Sequence, residues 1–268
     1  MRSIGHLKSV MNIHSLKSAT VALLIVLTTT MMSIKTLSAQ STLRIAVASN
    51  FLNSANKLVN IYENLYNAEI EIISGSTGKL FAQINSGAPF DLFLAADELR
   101  PRILSEADNS FVKGTYVYAI GRLVLWAPAL PKHHKNCNEK LLDMPFQHIA
   151  IANPETAPYG DAGLQTLRKL EKLQSIQSKL VFGENVGQVF SYLVTGAVGA
   201  GFLSLAQVQD KDPHRNTCAW IIPRNYYPDL SQSAIMLQSE STIAQQFMDF
   251  LESEEAKIVI ESSGYFAP

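Results

Sequence analysis

The chain has 268 residues, 47% of them apolar and 17% charged, and a formal net charge of −1. That balance can bury a core, which excludes a disordered or collagen-like chain. Without Arg2, Lys8, Lys17 and Lys35 of the first 39 positions, 18 basic residues face 23 acidic ones, a net-acidic body lacking the basic block that nucleic-acid backbones and anionic membrane surfaces require.

The chain opens as a secretory leader. Arg2, Lys8 and Lys17 form a basic n-region, Ala19 to Leu27 an apolar stretch, and Leu37-Ser38-Ala39 a small-residue cleavage point. Met11 is an alternative start that trims the leader to a more usual length. The apolar stretch is too short for a membrane span and is interrupted by Thr28-Thr29-Thr30. With residues 1–39 removed and no cysteine at the junction to carry a lipid, the reading is a soluble, monomeric protein in the periplasm. Cys137 and Cys218 are the only cysteines. In an oxidising compartment they can pair, in a structural role, although sequence leaves the pairing open.

Beyond the leader, β-rich runs alternate with helical patterns. Leu43–Val47 reads as a strand, and 51–66 as a helix on Leu52, Ala55, Leu58, Val59, Tyr62 and Leu65. Strands are expected at 69–73 and 91–95, with a short helix from Leu80 to Ile84 between them. Residues 116–126 read as one long strand able to run between two lobes. Strands at 148–152, 179–181, 200–203 and 233–237 follow, with helices at 163–173, 186–194 and 243–251. The alternation predicts an α/β protein with two lobes, each a mainly parallel mixed sheet with helices on both faces and a ligand cleft between the lobes. Lobe one is expected to comprise 40–120 plus 227–268, and lobe two 121–226.

Four strand-to-helix turns carry the chemistry: Ala48-Ser49-Asn50, Ser74-Gly75-Ser76-Thr77-Gly78, Asn153-Pro154 with Ala157-Pro158-Tyr159-Gly160, and Gly183-Glu184-Asn185-Val186-Gly187. Each places small or hydroxyl residues where helix N–H groups lack partners and the helix dipole is positive. Any one of them also reads as an ordinary N-cap. Two per lobe, facing across a cleft, would cage a small anion without Lys or Arg. A P-loop reading of the second turn fails, because Gly75 lies too close to Lys79 and Leu80 stands where Ser or Thr must bind magnesium.

Six segments in order carry a resemblance: Ala-Val-Ala-Ser-Asn-Phe (46–51), Ser-Gly-Ser-Thr-Gly-Lys-Leu (74–80), Gly-Ala-Pro-Phe-Asp-Leu-Phe-Leu-Ala-Ala-Asp (87–97), Tyr-Ala-Ile-Gly-Arg-Leu-Val-Leu-Trp (118–126), Asn-Pro-Glu-Thr-Ala-Pro-Tyr-Gly (153–160) and Glu-Asn-Val-Gly-Gln (184–188). Together they resemble the periplasmic molybdate-binding proteins of ABC importers, over nearly the whole chain after residue 42. The resemblance implies a type II periplasmic-binding fold closing on molybdate or tungstate, no cofactor, no catalytic residue, and a membrane permease as partner. It implies anion contacts at Ser49 and Asn50 through hydroxyl, amide and backbone, at Thr77 in place of the usual Ser, at Tyr159 through phenol or backbone, and at the Val186 N–H. These groups touch oxygens of the oxyanion, with no direct metal ligand. Donor-only pockets also suit a dianion, because hydrogenphosphate would set its own proton against a donor.

Other candidates have plainer readings. His133 and His134, with Cys137 nearby, could hold a metal, but adjacent histidines point apart and lie in a polar loop. Tyr226 and Tyr227 could ligate ferric iron, but beside Pro228 they read as packing. Glu155 and Glu184 should face solvent, away from an anion, while Asp91 and Asp97 should cap and hold the hinge. A binding protein for another anion or for iron, or a secreted enzyme on the same scaffold, are the alternatives.

Overall fold

The computed structural model describes residues 42–107, 114–211 and 216–268. The leader and cleavage point read at 1–39 lie outside them. The strands are β1 (Leu43–Ala48), β2 (Ile70–Gly75), β3 (Leu92–Ala95), β4 (Tyr116–Ile120), β5 (Leu123–Pro131), β6 (Ile149–Ala152), β7 (Leu180–Gly183), β8 (Ala200–Ser204), β9 (Thr217–Ile221) and β10 (Ser231–Met236). They form two five-stranded sheets, ordered β2-β1-β3-β10-β4 and β7-β6-β8-β5-β9. In each sheet the first three strands pair in parallel and the last two join antiparallel. The central strands β1, β3, β6 and β8 are buried almost throughout, as strands covered on both faces must be.

The helices are α1 (Leu52–Tyr66), α2 (Thr77–Asn85), α3 (Leu99–Ala107), α4 (Pro158–Lys169), α5 (Leu173–Ile176), α6 (Val186–Val194), α7 (Leu205–Lys211), α8 (Thr242–Leu251) and α9 (Glu254–Ser262). None is long and apolar enough to cross a membrane among the described residues. The helix α1 lays Ala55, Leu58, Val59 and Tyr62 into the first core at the expected spacing and ends at Asn67 in the left-handed region (φ 47°), which an Asn tolerates.

Two departures from the sequence reading have clear causes. The long strand expected at 116–126 is two strands in different sheets, broken at Gly121-Arg122. There the Gly121 N–H donates to the Leu230 carbonyl, and a Cβ on Gly121 would lie 2.1 Å from the Tyr159 hydroxyl oxygen. Only glycine lets the chain cross at that point. Helix α4 begins at Pro158, not at 163. Its two early glycines lower intrinsic helix propensity, but packing demands them: a Cβ on Gly160 would lie 2.3 Å from the Ala152 carbonyl oxygen, and one on Gly163 would press on Ile151 and Phe202. The reading also missed α3, α7, α9 and the edge strand β9. In β9 Cys218 and Trp220 face inward between exposed or half-buried neighbours. Cys218 is bonded to Cys137, 81 positions away in sequence, with Cα atoms 5.6 Å apart.

Candidate functional site

Each site turn leaves the carboxyl end of a parallel strand: β1 into α1, β2 into α2, β6 into α4 and β7 into α6. The four meet at one small cavity. Ser49, Asn50, Thr77, Tyr159 and Val186, the residues chosen from sequence, all line it, together with Gly75, Ser76 and four small or cyclic residues. Its water-accessible volume is about 10 Å³, at the threshold for a single bound water and too small for an organic metabolite.

The first turn is tight. The Ser49 N–H donates to the Gly75 carbonyl at 2.9 Å and the Phe51 N–H to that of Ala48 at 2.8 Å, while the Phe51 ring packs on Tyr118 and Tyr265. Asn50 is buried, and its amide is already committed. Nδ2 donates to Gln232 Oε1 at 2.7 Å and to the Tyr265 hydroxyl at 3.1 Å, and that hydroxyl donates back to the Asn50 carbonyl at 2.8 Å. The side-chain amide nitrogen expected to reach an anion from Asn50 is therefore taken up by the scaffold.

In the second turn the Ala96 N–H donates to Thr77 Oγ1 at 3.1 Å. An acceptor bond on the oxygen leaves the Thr77 hydroxyl proton free to donate. The neighbouring Ser76 hydroxyl is buried without a partner.

The third turn supplies Tyr159, whose phenol is fully buried with no hydrogen-bond partner. Burial, reinforced by the Tyr265, Tyr227 and Tyr118 phenols, pushes its pKa well above the ordinary phenol range, against a weaker opposing influence of the Asn50 amide. The group stays a neutral O–H donor. In the fourth turn the Asn185 side chain caps α6 by accepting from the Gln188 N–H at 3.1 Å. The Val186 carbonyl accepts from Gln207 Nε2 at 3.2 Å, and Gln207 is tied to Ser204 at 3.0 Å.

No described residue lining the cavity is charged. Helix N-termini and oriented N–H and O–H groups give its wall partial positive character without a formal charge. Glu155 and Glu184 are exposed, as expected of carboxylates kept from an anion. Glu184 is additionally paired with Lys79 at 2.9 Å.

The profile of the bacterial extracellular solute-binding protein family matches residues 43–266. The chain belongs to this family. Among its relatives, the molybdate-binding protein ModA of Azotobacter vinelandii is 34% identical over 224 residues, covering 83% of this chain and 88% of the relative. ModA of Rhodobacter capsulatus is 32% identical over 222 residues, covering 82% and 86%. The solved structure of the Azotobacter vinelandii periplasmic molybdate-binding protein superposes with a TM-score of 0.79 at 35% identity, covering 84% of this chain and 99% of that one. Two mixed sheets flanking a cleft make this the type II binding-protein fold. The family is one of solute-binding proteins, not of enzymes.

The remaining candidates have structural partners. The Tyr227 hydroxyl accepts from the Leu123 N–H at 3.2 Å, which fixes the start of β5. His134 Nδ1 accepts from the Asn136 N–H, and the thiolate that a metal would need from Cys137 is held in the disulfide. Asp97 caps α3 through the Arg100 N–H at 2.9 Å and pairs with the Arg100 guanidinium. Asp91 does not hold the hinge. Its carboxylate accepts from the Arg44 N–H at 2.7 Å, clipping β1 to the start of β3 at the opposite end of the strands from the site turns. Sequence reasoning missed Gln232, Tyr265 and Gln207, which hold Asn50 and Val186. Gln232, between Ser231 and Ser233 at the start of β10, is buried completely and carried no local signal.

Proposed function

We propose that this protein captures molybdate, and tungstate with similar strength, in the four-turn cavity and delivers it to the permease of an ABC importer. The observation that carries the reading is a small, uncharged cavity at which four strand-to-helix turns meet. It is lined by donors that lack partners: the phenol of Tyr159, the hydroxyl of Ser76 and the Thr77 proton. The anion contacts are Ser49, Asn50 through its N–H, Thr77, Tyr159 and the Val186 N–H. Helix N-termini favour a dianion, and an all-donor shell disfavours one that carries a proton. Sulfate shares the charge and shape of molybdate, so its exclusion rests on cavity size. Two relatives that align over more than four fifths of the chain bear molybdate in their names. The lobes divide as 40–120 plus 227–268 and 121–226, and the mature chain, from about Gln40, works as a soluble periplasmic monomer.

Calorimetry with molybdate, tungstate, sulfate, phosphate and ferric citrate tests this. One molybdate or tungstate per chain is expected, with sulfate and phosphate far weaker. Sulfate competing on equal terms would overturn the assignment, and ferric iron binding through Tyr227 would replace it.

A further inference from the structure

Three polar contacts close to the site turns join the lobes outside the cavity. The Gly78 N–H in α2 donates to the Thr156 carbonyl at 2.8 Å. Lys79 Nζ meets the Glu184 carboxylate at 2.9 Å, both side chains about half exposed (53% and 49%). The Arg100 guanidinium donates to the Glu155 carbonyl at 3.3 Å. None of these six residues lines the cavity.

We propose that Gly78 and Lys79 are positioning residues that set ligand affinity without touching the ligand, by fixing how completely the two lobes close. This rests on the binding-protein reading above and adds to it which residues govern closure. Contacts between lobes exist in the closed form and are absent from an open one, so they bias that equilibrium directly. Apparent affinity scales with the fraction of protein that is closed. Gly78 carries the larger share for a steric reason. A Cβ there would lie 2.9 Å from Thr156 Cα, 3.0 Å from its carbonyl oxygen and 3.2 Å from its Cβ. Two of those three atoms are backbone and cannot swing aside, so any side chain at 78 holds the lobes apart. Lys79 and Glu184 add an exposed, salt-screened attraction of small size.

The signature separates closure from folding. Gly78 lies inside a helix at an ordinary negative φ, where alanine is the better helix former. Gly78→Ala is therefore expected to melt no lower than wild type while binding molybdate at least ten-fold more weakly, with a faster dissociation rate. Spin labels on cysteines placed at the exposed Gln83 and Ser178 report the distance between lobes, the native cysteines being bonded to each other. The short, closed distance should be populated in wild type and lost in Gly78→Ala. Lys79→Glu alone should weaken binding two- to five-fold at low salt. Lys79→Glu combined with Glu184→Lys should restore it, which keeps the test decisive even if Gly78→Ala folds poorly. Equal distance distributions in wild type and Gly78→Ala, or a charge swap that restores nothing, would overturn the proposal. Failure of wild type to take up molybdate in calorimetry would defeat the functional reading instead. The distance comparison stands apart from that result, because it needs no particular anion.

Discussion

Replacing Tyr159 by phenylalanine removes one oxygen from a residue that lines the cavity, and two opposite effects are expected from that one atom. In the free protein the phenol is buried without a hydrogen-bond partner. An unsatisfied buried polar group costs about 1–3 kcal/mol, and the small void left beside Gly121 offsets part of the gain from deleting it. Tyr159→Phe should therefore be more stable than wild type by about 1 kcal/mol, a rise of roughly 2–4 °C in melting temperature for a chain of this size. In the complex the same phenol donates to a charged oxygen, a bond contributing about 1.5–3 kcal/mol. Its loss should weaken molybdate binding roughly ten- to hundred-fold, at about 1.4 kcal/mol per decade. Thermal unfolding without anion and calorimetry with molybdate read the two effects separately. Tyr227→Phe is the control: it frees only the Leu123 N–H and should leave the anion affinity unchanged. A Tyr159→Phe protein that binds like wild type beside a weakened Thr77→Ala would mean that Tyr159 donates only its backbone N–H. If Tyr227→Phe loses the ligand instead, the site has been placed wrongly.

Thr77→Ser should bind nearly as wild type, since Oγ still accepts from the Ala96 N–H and still donates. Thr77→Ala should bind about ten-fold more weakly and lose about 1 kcal/mol of stability through the orphaned Ala96 N–H, both measurable on one sample. Reducing the Cys137–Cys218 bond should lower the urea midpoint, the unfolding free energy falling by up to about 4.5 kcal/mol in the chain-entropy treatment of a loop this long. Anion affinity should hold below the new transition, because neither cysteine lines the cavity. Tyr118 and Tyr159 both have phenol pKa values raised well above the ordinary 10.0, chiefly by burial. Above pH 10 the unfolded chain releases these protons and the folded chain keeps them. Their stabilising contribution is thus complete below pH 10 and falls as pH rises past it, by about 1.4 kcal/mol per pH unit for each phenol. Urea titrations between pH 8 and 11 check the direction; a midpoint that rises with pH would refute it.

Much of this molecule is legible one segment at a time. Alternation and helical spacing marked β1, α1, β6 and α6, because each buries a face whose period is written in its own residues. The four site turns were legible for a related reason. A strand that ends in small or hydroxyl residues before a helix declares both its cap and its unpaired N–H groups locally. The bend at Gly121 was not legible, because the residues on either side keep a strand-like pattern and the crowding that demands glycine there comes from the Tyr159 hydroxyl, 38 positions along the chain. Nor was the fate of the Asn50 amide. The residues that occupy it, Gln232 and Tyr265, lie 182 and 215 positions away, and no local pattern connects them. The same holds for the seam at Gly78 and Thr156. A glycine in the first turn of a helix reads as weak propensity until another backbone is seen to need the space. Local sequence determines which backbone groups are left unpaired, and tertiary structure alone decides which of them face one another, because that depends on distances the chain closes only when both sheets are folded.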